Sequence, residues 1–404
     1  MDEITLYEKI LSLSKPWSVD SIELNEADNS VHVNVSYDGN SVSCPVCKKP
    51  CTRYDTRSRT WRHLDTCQYK TFVHCNVPRA NCVEHGVLQI DIPWAEKGSG
   101  FTLLFEAFII DWLNEASINA VSRQTNLSWN AIDGIMKRAV RRGLDRRTEL
   151  DIKHLCVDEV SQRKGRKYLT IISNHQGHVL DIQDDRSKES LKAFYNKFNE
   201  QQLVKVESIS MDMCQAYIST TLETIPDAQS KICFDKFHVA KDLNEAVDAT
   251  RKSEMKSIEP SWRKPLHASR YTWLRDQKNL EKNHKKTIAE LTRIANKTAR
   301  AWTIRQYAMT LWEYKCKTWA KKAWMRWYNW AIRSQLNAIK SSARSIKKNL
   351  WGILNAVVLK KTNASAESIN SKIKSIKVRA KGFRNKERLK IAILFHCGGL
   401  EMKP

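Results

Sequence analysis

The sequence predicts a multidomain protein of the α+β class, and three patterns lead to that prediction. Paired cysteine and histidine motifs stand between strand-like runs near the N-terminus. Two short runs of β-formers in the middle of the chain each end on an aspartate, and a long helical stretch rich in tryptophan follows them. With 404 residues, of which 42% are hydrophobic, the chain is long enough for about two or three packed domains.

The charge of the chain indicates a polyanionic partner. Lys and Arg number 68 against 44 Asp and Glu, which gives a formal net charge of +24 and suits nucleic acid. A membrane surface is the competing polyanion, but the chain has no apolar run of about 18 residues and begins with Met1-Asp2-Glu3 rather than a basic signal region. We therefore expect a soluble, cytoplasmic protein with no membrane partner.

Residues 1–95 are predicted to form a small β-rich domain. An amphipathic helix over residues 4–13 precedes Ser30–Tyr37, a run that alternates apolar and polar residues as a strand does. A tight turn is expected at residues 38–40, and a second alternating run covers Tyr69–Val77.

The same segment contains a zinc-ligand pattern. Cys44 and Cys47 form a C-x₂-C pair, Cys82 and His85 form a C-x₂-H pair, and 34 residues separate the two pairs. Each pair directs two ligands at one point, as tetrahedral zinc sites require. Unliganded thiols in small hairpins are the alternative, and the spare residues Cys51 and Cys75 each remain a possible replacement for one ligand.

Residues 101–150 are predicted to hold a helix-turn-helix, after a linker over residues 86–100. An apolar helix over Leu103–Leu113 is followed by two short helices at residues 117–124 and 128–138, whose apolar side chains share a core. Any helical hairpin shows this spacing, but basic residues follow the second helix and suit contacts with DNA phosphates. The predicted DNA contacts here are Lys137, Arg138, Arg141 and Arg142.

Residues 151–240 carry the pattern on which the functional prediction depends. The predicted order is β-β-β-α-β-α-β, with Asp158 at the end of the first strand, Asp212 at the end of the fourth and Asp235 after the last. This is the order of the ribonuclease-H-like α/β fold, in which the first and fourth strands lie side by side. A single aspartate after a strand is often only a helix cap or turn former. Two that meet suit a divalent cation such as Mg²⁺.

Residues 241–355 change to a helical, polar character with embedded aromatic residues. Nine of the 14 tryptophans lie between Trp262 and Trp351, and the densest group comprises Trp319, Trp324, Trp327 and Trp330. Such a group is typical of a helix packed on several sides, and the alternative is a surface on which bases stack.

Residues 356–404 combine a basic segment with a third candidate carboxylate. Residues 360–390 hold eleven Lys or Arg and only two acids, Glu367 and Glu387, so contact with nucleic acid is expected. Thr362 or Asn363 is expected to cap a helix that buries Ile369, Ile373 and Ile376 and presents Glu367, Asn370, Ser371 and Lys374 on another face. A first-turn acid that complements the helix dipole is the alternative for Glu367. Glu245 and Glu254 are closer to Asp212 in sequence.

Several of these motifs together resemble one protein family. They include Cys44-Pro-Val-Cys47, Trp61-Arg-His-Leu-Asp65, Cys82-Val-Glu-His-Gly86, Pro93-Trp-Ala-Glu96, Val157-Asp-Glu159, Lys164-Gly-Arg-Lys-Tyr-Leu-Thr170, Met211-Asp-Met213, Phe234-Asp-Lys-Phe-His238 and Glu367-Ser-Ile-Asn370. In this combination, which spans nearly the whole chain, the sequence resembles bacterial insertion-sequence DDE transposases of the ISL3 family. Asn174 and Ser365-Ala366 depart from the pattern but do not touch the acidic positions.

The resemblance implies a zinc-binding domain, a helix-turn-helix and a ribonuclease-H-like core interrupted by an all-helical insertion. It also implies that Asp158, Asp212 and Glu367 are catalytic and bind Mg²⁺ or Mn²⁺, with Asp235 and His238 beside them. In two-metal chemistry one ion activates a water or 3′-hydroxyl and the other stabilises the leaving oxygen.

The expected function is metal-dependent cleavage and strand transfer at the terminal inverted repeats of an insertion sequence. Transposon ends and target DNA are the expected partners, Lys372 and Lys374 are further predicted DNA contacts, and a nucleoid-associated homodimer on paired ends is the expected assembly. Two other classes remain open: a zinc-containing DNA-binding regulator with an inactive nuclease-like core, and a ribonuclease or structure-specific nuclease.

Overall fold

The computed structural model describes residues 2–161, 168–360 and 364–404. The chain forms two compact units, Met1–Thr148 with Leu400–Pro404, and Glu149–Gly399. Within the described residues, none of the helices combines the length and the apolar character needed to cross a bilayer. The finer domain boundaries suggested by the sequence stay a prediction.

The first unit begins with a helix and a mixed β-sheet. Their bounds are α1 Glu3–Ile10, β1 Trp17–Asn25, β2 Ser30–Tyr37, β3 Val42–Ser43, β4 Pro50–Arg62, β5 Lys70–Cys82 and β6 Gly86–Gln89. The strands follow the order β1-β2-β5-β4-β3, and β6 pairs with the far end of β5. The long hairpin of β4 and β5 is antiparallel, while β2 and β5 are parallel.

Two parts of this sheet differ from the sequence prediction. Strand β4 was not predicted, because its side chains are mostly polar and exposed and leave no hydrophobic period; its pairing with β5 supplies the order. The predicted linker over residues 86–100 is wrong at its start, since Gly86–Gln89 is strand β6. Trp94 in the same stretch is buried against Trp17 and Trp61 in edge-to-face contacts, so this stretch belongs to the core.

The first unit continues with three helices, α2 Leu103–Glu115, α3 Ile118–Thr125 and α4 Trp129–Arg146. Thr102, Ser117 and Ser128 cap their N-termini with side-chain oxygens, and Asn126 turns the chain between α3 and α4 with a φ of 54°. Helix α4 continues to Arg146, beyond its predicted end at residue 138. The basic residues therefore lie on the helix itself rather than on a tail after it.

The second unit is built on a sheet of β7 His154–Ser161, β8 Tyr168–Asn174, β9 Val179–Asp184, β10 Ser208–Met211 and β11 Ile232–Phe234. Helices α5 Lys188–Tyr195, α6 Glu200–Val204, α7 Gln215–Thr224 and α8 Ala228–Lys231 connect its strands. The strand order is β11-β10-β7-β8-β9. Strands β7, β8 and β9 are antiparallel neighbours, whereas β10 is parallel to both β7 and β11. The predicted adjacency of the first and fourth strands of this region is confirmed.

A helical region follows the last strand of the sheet. Its helices are α9 Lys236–Glu254, α10 Pro260–Ala268, α11 Arg270–Leu274, α12 Lys282–Thr292, α13 Asn296–Thr310, α14 Lys317–Arg333, α15 Asn337–Lys348 and α16 Leu350–Leu359. Trp273, Trp324 and Trp327 are buried in its core, as the packing interpretation predicted, but Trp319 and Trp330 are exposed. Helix α16 returns the chain to the sheet, where Trp351 packs edge-to-face on Phe234 of β11.

Two final helices, α17 Ala364–Arg379 and α18 Lys386–Cys397, pack on the other side of the sheet. Ile369 and Ile373 of α17 are buried with Leu169 and Ile171 of β8, and Ile376 packs at the edge of this cluster. The predicted apolar face of α17 is therefore confirmed. The predicted caps Thr362 and Asn363, like Lys164–Lys167 of the family motif, lie outside the described residues.

Candidate active site and zinc centre

Two aspartates lie side by side at one edge of the second unit's sheet. Strands β7 and β10 are parallel, and Val157 is the register partner of Met211. The residue that follows each of these partners along its strand is an aspartate: Asp158 follows Val157, and Asp212 follows Met211. The carboxyl ends of parallel strands commonly carry the functional groups of such sheets, because side chains from adjacent strands converge there.

The Asp158 carboxylate is held by two hydrogen bonds. Its Oδ1 accepts from the backbone N–H of Glu159 at 2.7 Å, and its Oδ2 accepts from Asn370 Nδ2 at 2.8 Å. Burial raises the pKa of Asp158, and the nearby charge of Asp212 raises it further, while His238 and the two hydrogen bonds oppose the shift. The carboxylate is thus held in one orientation by two hydrogen-bond donors.

Glu367 belongs to the same electrostatic cluster although it follows Asp212 by 155 residues. It lies in the first turn of α17, one helical turn before Asn370. Burial raises its pKa, and the charges of Asp235 and Asp158 add to that shift. The hydrogen bond from Asn370 to Asp158 joins α17 to β7 at this point.

Asp235 and His238 stand beside these carboxylates, at the junction of β11 and α9. Asp235 is buried directly after β11, and its Oδ2 lies 3.4 Å from Nδ1 of His238. The Asp235 carboxylate raises the pKa of His238, and the charges of Asp212 and Asp158 act in the same direction. His238 therefore supplies compensating positive charge when protonated.

Arg186 and Glu159 are members of the cluster that sequence reasoning missed. Arg186 lies in the turn before α5, where its Nε is 2.6 Å from Glu159 Oε2 and its Nη2 is 2.7 Å from Asp212 Oδ2. The guanidinium thus bridges two acids of neighbouring strands. Glu159 stands in the quoted Val157-Asp-Glu159 motif, but nothing in the turn sequence distinguishes Arg186 from an ordinary surface cation.

The acidic groups carry oxygen donors of the type that hard divalent cations take, but among the described residues only Cys44, Cys47, Cys82 and His85 bring three or more ligand atoms close enough together for one ion. Every acidic group in the cluster offers carboxylate oxygen, the ligand that Mg²⁺ prefers. Burial raises the pKa of both Asp158 and Glu367, and neighbouring carboxylates raise it further, as in a cluster of acidic groups. Lys372 and Lys374 lie on α17, the helix that carries Glu367, and both side chains are exposed to solvent.

The two competing glutamates have other surroundings. Glu254 is buried at the end of α9, where its carboxylate accepts hydrogen bonds from the backbone N–H groups of Lys297 and Thr298 at the start of α13. It is therefore a structural cap between helices. Glu245 is exposed on α9, where burial raises the pKa of the nearby Asp242 and the charge of Glu245 adds to that shift.

The four predicted zinc ligands converge in the first unit. The ligand atoms of Cys44, Cys47, Cys82 and His85 all lie within 4.8 Å of one another. The sulphurs of Cys47 and Cys82 are 3.8 Å apart, and His85 Nδ1 is 3.5 Å from Cys82 Sγ. Zinc–sulphur bonds of about 2.3 Å at tetrahedral angles require sulphurs about 3.8 Å apart, so the side chains fit zinc.

Local turns explain why these side chains meet. After the first pair, Lys48 adopts a φ of 58° and its N–H donates to the carbonyl of Cys44, which closes a tight turn. Of the two spare thiols, Cys75 is buried in the hydrophobic core on β5, and burial raises its pKa to about 12. Cys51 is half-buried beside the site but outside the four-residue group.

The basic residues of α4 separate into two groups. Lys137 and Arg141 are exposed. Within the part of the chain that the structure describes, Lys137 forms an ion pair with Asp133, one turn earlier on the same helix. Arg142 is instead buried, with Nε 2.5 Å from Glu96 Oε1 and Nη2 2.9 Å from Glu106 Oε2. Arg138 also donates to the buried Glu106. The structure therefore does not present Arg142 to a ligand and presents Arg138 only in part.

Comparison with known proteins agrees with this arrangement. A family model described as a transposase matches residues 155–393. A second, described as the helix-turn-helix domain of transposase family ISL3, matches residues 90–140, and a third, described as the zinc-finger of transposases IS204, IS1001, IS1096 and IS1165, matches residues 40–85.

Curated relatives match over most of their length. The chain is 28% identical over 351 residues to the transposase for insertion sequence element IS1001 of Bordetella parapertussis, which covers 85% of this chain and 86% of that protein. It is 24% identical over 424 residues to the transposase for insertion sequence element IS1557 of Mycobacterium tuberculosis, which covers 96% and 94%. The zinc-finger, helix-turn-helix and transposase matches follow one another in the expected order, and the chain belongs to the ISL3 family of transposases.

Proposed function

We propose that this transposase binds the terminal inverted repeats of its insertion sequence and cuts and joins DNA with Asp158, Asp212 and Glu367 as its catalytic carboxylates. The sheet that carries them is a ribonuclease-H-like core. The helical region over residues 241–355 is an insertion in that core, and residues 356–404 return the third carboxylate to it. A homodimer on paired DNA ends is the proposed assembly.

The observation that carries the proposal is the hydrogen bond from Asn370 to Asp158, one turn from Glu367. It brings the helix of the third carboxylate to the strand of the first. The strand order supports the same interpretation: numbered along the chain, the strands lie in the order 3-2-1-4-5, with the fourth parallel to the first.

The chain's own residues suggest how the site is prepared. Asn370 and the Glu159 amide fix the two oxygens of Asp158, and Arg186 holds Asp212 against Glu159. Mg²⁺ or Mn²⁺ held by such carboxylates supplies Lewis acidity for in-line phosphodiester displacement. Lys137 and Arg141 on α4, with Lys372 and Lys374 on α17, are the proposed phosphate contacts, while Cys44, Cys47, Cys82 and His85 hold zinc.

A DNA-binding regulator with an inactive core is the second candidate. It would keep the zinc centre and helix-turn-helix but would not need an oriented carboxylate cluster. The partly buried Asp158 with a raised pKa disfavours it, because a carboxylate with a perturbed pKa beside other acids is typical of functional sites. A metal-dependent nicking assay on DNA with and without the terminal repeats separates the transposase from the regulator and from a non-specific nuclease.

The experiment that tests the proposal compares three glutamate variants of the full-length protein. Glu367→Gln is expected to keep the fold and end binding but to abolish nicking and strand transfer, because it removes a charge from the cluster and not a packing contact. Glu245→Gln and Glu254→Gln are expected to retain cleavage, although Glu254→Gln lowers thermal stability by weakening its cap on α13. Cleavage by Glu367→Gln near the wild-type rate would place the third carboxylate elsewhere.

A further inference from the structure

One face of α14 is an unusual combination of exposed aromatic and cationic side chains. Trp319, Lys322, Arg326, Trp330 and Arg333 follow one another at spacings of three and four residues, which places them on a single face of a helix. We call this set the α14 stripe. The opposite face, with Ala320, Ala323, Trp324, Trp327 and Ala331, is buried in the helical core.

The tryptophans of the stripe are accessible. Trp319 is 61% exposed and Trp330 is 42% exposed, whereas Trp324 and Trp327 are almost completely buried. Lys322 Nζ lies 5.0 Å from the ring centre of Trp319, and Tyr307 of α13 packs beside Trp330 with ring centres 6.0 Å apart. These rings contribute little to the core, so packing alone does not explain their presence.

The electrostatic surroundings of the stripe favour an anion. The sequence contains no Asp or Glu between Glu313 and Glu367, but it contains twelve Lys or Arg there. Within the described part of the chain, Lys322, Arg326 and Arg333 form no ion pair, and the nearest acid in sequence, Glu313, is paired with Lys278. A second copy presenting the same stripe would be repelled by like charge, which disfavours self-association through this face.

We propose that the α14 stripe binds unpaired single-stranded DNA, with bases stacked on Trp319 and Trp330 and the backbone along Lys322, Arg326 and Arg333. Interleaved aromatic and cationic side chains are the general solution for single strands, since every base has a π-face and every nucleotide a phosphate. Bases inside an intact duplex are already stacked and cannot reach the rings. Trp319 and Trp330 are about 16 Å apart along the helix axis, which corresponds to about five nucleotides at a stacked spacing of about 3.4 Å.

The ligand class rests on the proposed DNA-cleavage function, but the test measures binding alone. The full-length protein is titrated into a fluorescein-labelled 20-nucleotide oligothymidylate and, separately, into a duplex of the same length. Trp319→Ala with Trp330→Ala is expected to weaken single-strand binding by about tenfold or more and to leave duplex affinity within a factor of about two. The matched control is Trp112→Ala, a tryptophan of similar exposure on α2 that lies outside the stripe.

Further variants separate stacking from charge and from folding. Phenylalanine at both tryptophan positions is expected to retain most of the single-strand affinity, because its ring can still stack on a base. Leucine at both positions keeps the apolar bulk but cannot stack, and it is expected to weaken binding as much as alanine does. Lys322→Gln with Arg326→Gln is expected to weaken both ligands and reduce the salt dependence. Each variant is checked for an unchanged melting temperature.

Three outcomes would overturn the proposal: unchanged single-strand affinity in the Trp→Ala and Trp→Leu variants, an equal loss for single strand and duplex, or a change from dimer to monomer with unchanged DNA binding. The last would make the stripe a contact between copies. Because the Glu367→Gln variant keeps the stripe intact, its cleavage result is independent of this one. Loss of single-strand binding therefore stands whether or not Glu367 is catalytic.

Discussion

At the scale of single residues, the second unit concentrates its unusual chemistry where three segments meet. Burial raises the pKa of Asp158 and of Glu367, and neighbouring carboxylates add to both shifts, whereas among the described residues Arg186 and His238 provide positive charge nearby. Asn370 orients one oxygen of Asp158, and its own Oδ1 is buried without a hydrogen-bond partner among the described residues. Orientation and charge are thus set by different side chains.

The first prediction concerns Asn370 as a positioning residue. Asn370→Ala should lower the cleavage rate by about 10- to 100-fold, as loss of groups that orient metal ligands does, and should raise the Mg²⁺ concentration needed for half-maximal activity. End binding and the melting temperature should not change. Ser371→Ala, at the neighbouring exposed position, is the control. A cleavage rate and Mg²⁺ requirement equal to those of the wild type would show that Asp158 needs no such support.

At the scale of elements, the first unit shows how local structure serves two kinds of site. The zinc ligands lie at turns next to strand ends, where the chain reverses and pairs of side chains converge. Helix α4 instead divides its cations: the inward arginines neutralise the buried Glu106, while Lys137 and Arg141 remain exposed. A buried acid of this kind is stable only with its partners, because an unpaired buried charge costs about 3–5 kcal/mol.

The second prediction concerns the metal of the first unit. The purified protein should contain about one zinc per chain, and a strong chelator should unfold the β4–β5 region, since small zinc modules couple metal binding to folding. Cys82→Ser should lose the metal, whereas Cys51→Ser should retain it. The measurement is metal analysis of the purified variants. A zinc-free wild-type protein, or loss of zinc from Cys51→Ser, would contradict the proposed ligand set.

The third prediction concerns helix α4. Lys137→Gln and Arg141→Gln should each weaken binding to the element's ends and reduce the slope of log K against log salt by about 0.9, as expected for loss of one phosphate contact. Both proteins should remain folded. Arg142→Gln should instead lower the melting temperature, because it leaves Glu106 short of a partner. An unchanged salt slope in both exposed-site variants would remove α4 from the DNA interface.

At the scale of the second unit as a whole, the long helical region has to return the chain to the sheet before α17 can reach the carboxylates. The return occurs at α16, which packs on β11. The side-chain amide of Asn355 donates to the carbonyl of Gln229 at 2.8 Å and to the carbonyl of Ile232 at 2.9 Å. A Cβ atom at Gly352 would lie 2.5 Å from the ring of Phe234. This contact is too close for any larger residue at position 352.

The fourth prediction tests that contact. Gly352→Ala should destabilise the protein by about 1–3 kcal/mol, because an added methyl group overpacks a rigid aromatic ring, and should also lower the cleavage rate by disturbing the approach to α17. Gly134→Ala on α4 is the control, since its added Cβ meets only the flexible end of Arg138 at 3.5 Å. Thermal unfolding measures both. Equal melting temperatures for the two variants would show that α16 can shift without cost.

The sequence by itself determined much about this protein. The spacing of Cys44, Cys47, Cys82 and His85 predicted the metal-ligand group, the apolar periodicity predicted α3, α4 and the buried face of α17, and the strand order predicted that β7 and β10 are neighbours. These features depend on local spacing or on the period of a helix or strand, which can be read along the chain.

Only the tertiary structure decided the features that depend on distant partners. Strand β4 is ordered by pairing with β5 rather than by its own composition, and Arg142 is buried because Glu96 and Glu106 meet it from other segments. Arg186 contacts the acidic cluster because the fold brings its turn next to Asp212. Trp319 is exposed and Trp324 is buried because only one face of α14 packs against other helices. Residue type and local period do not specify which side chains will face one another, because that is set by packing between segments far apart in the sequence.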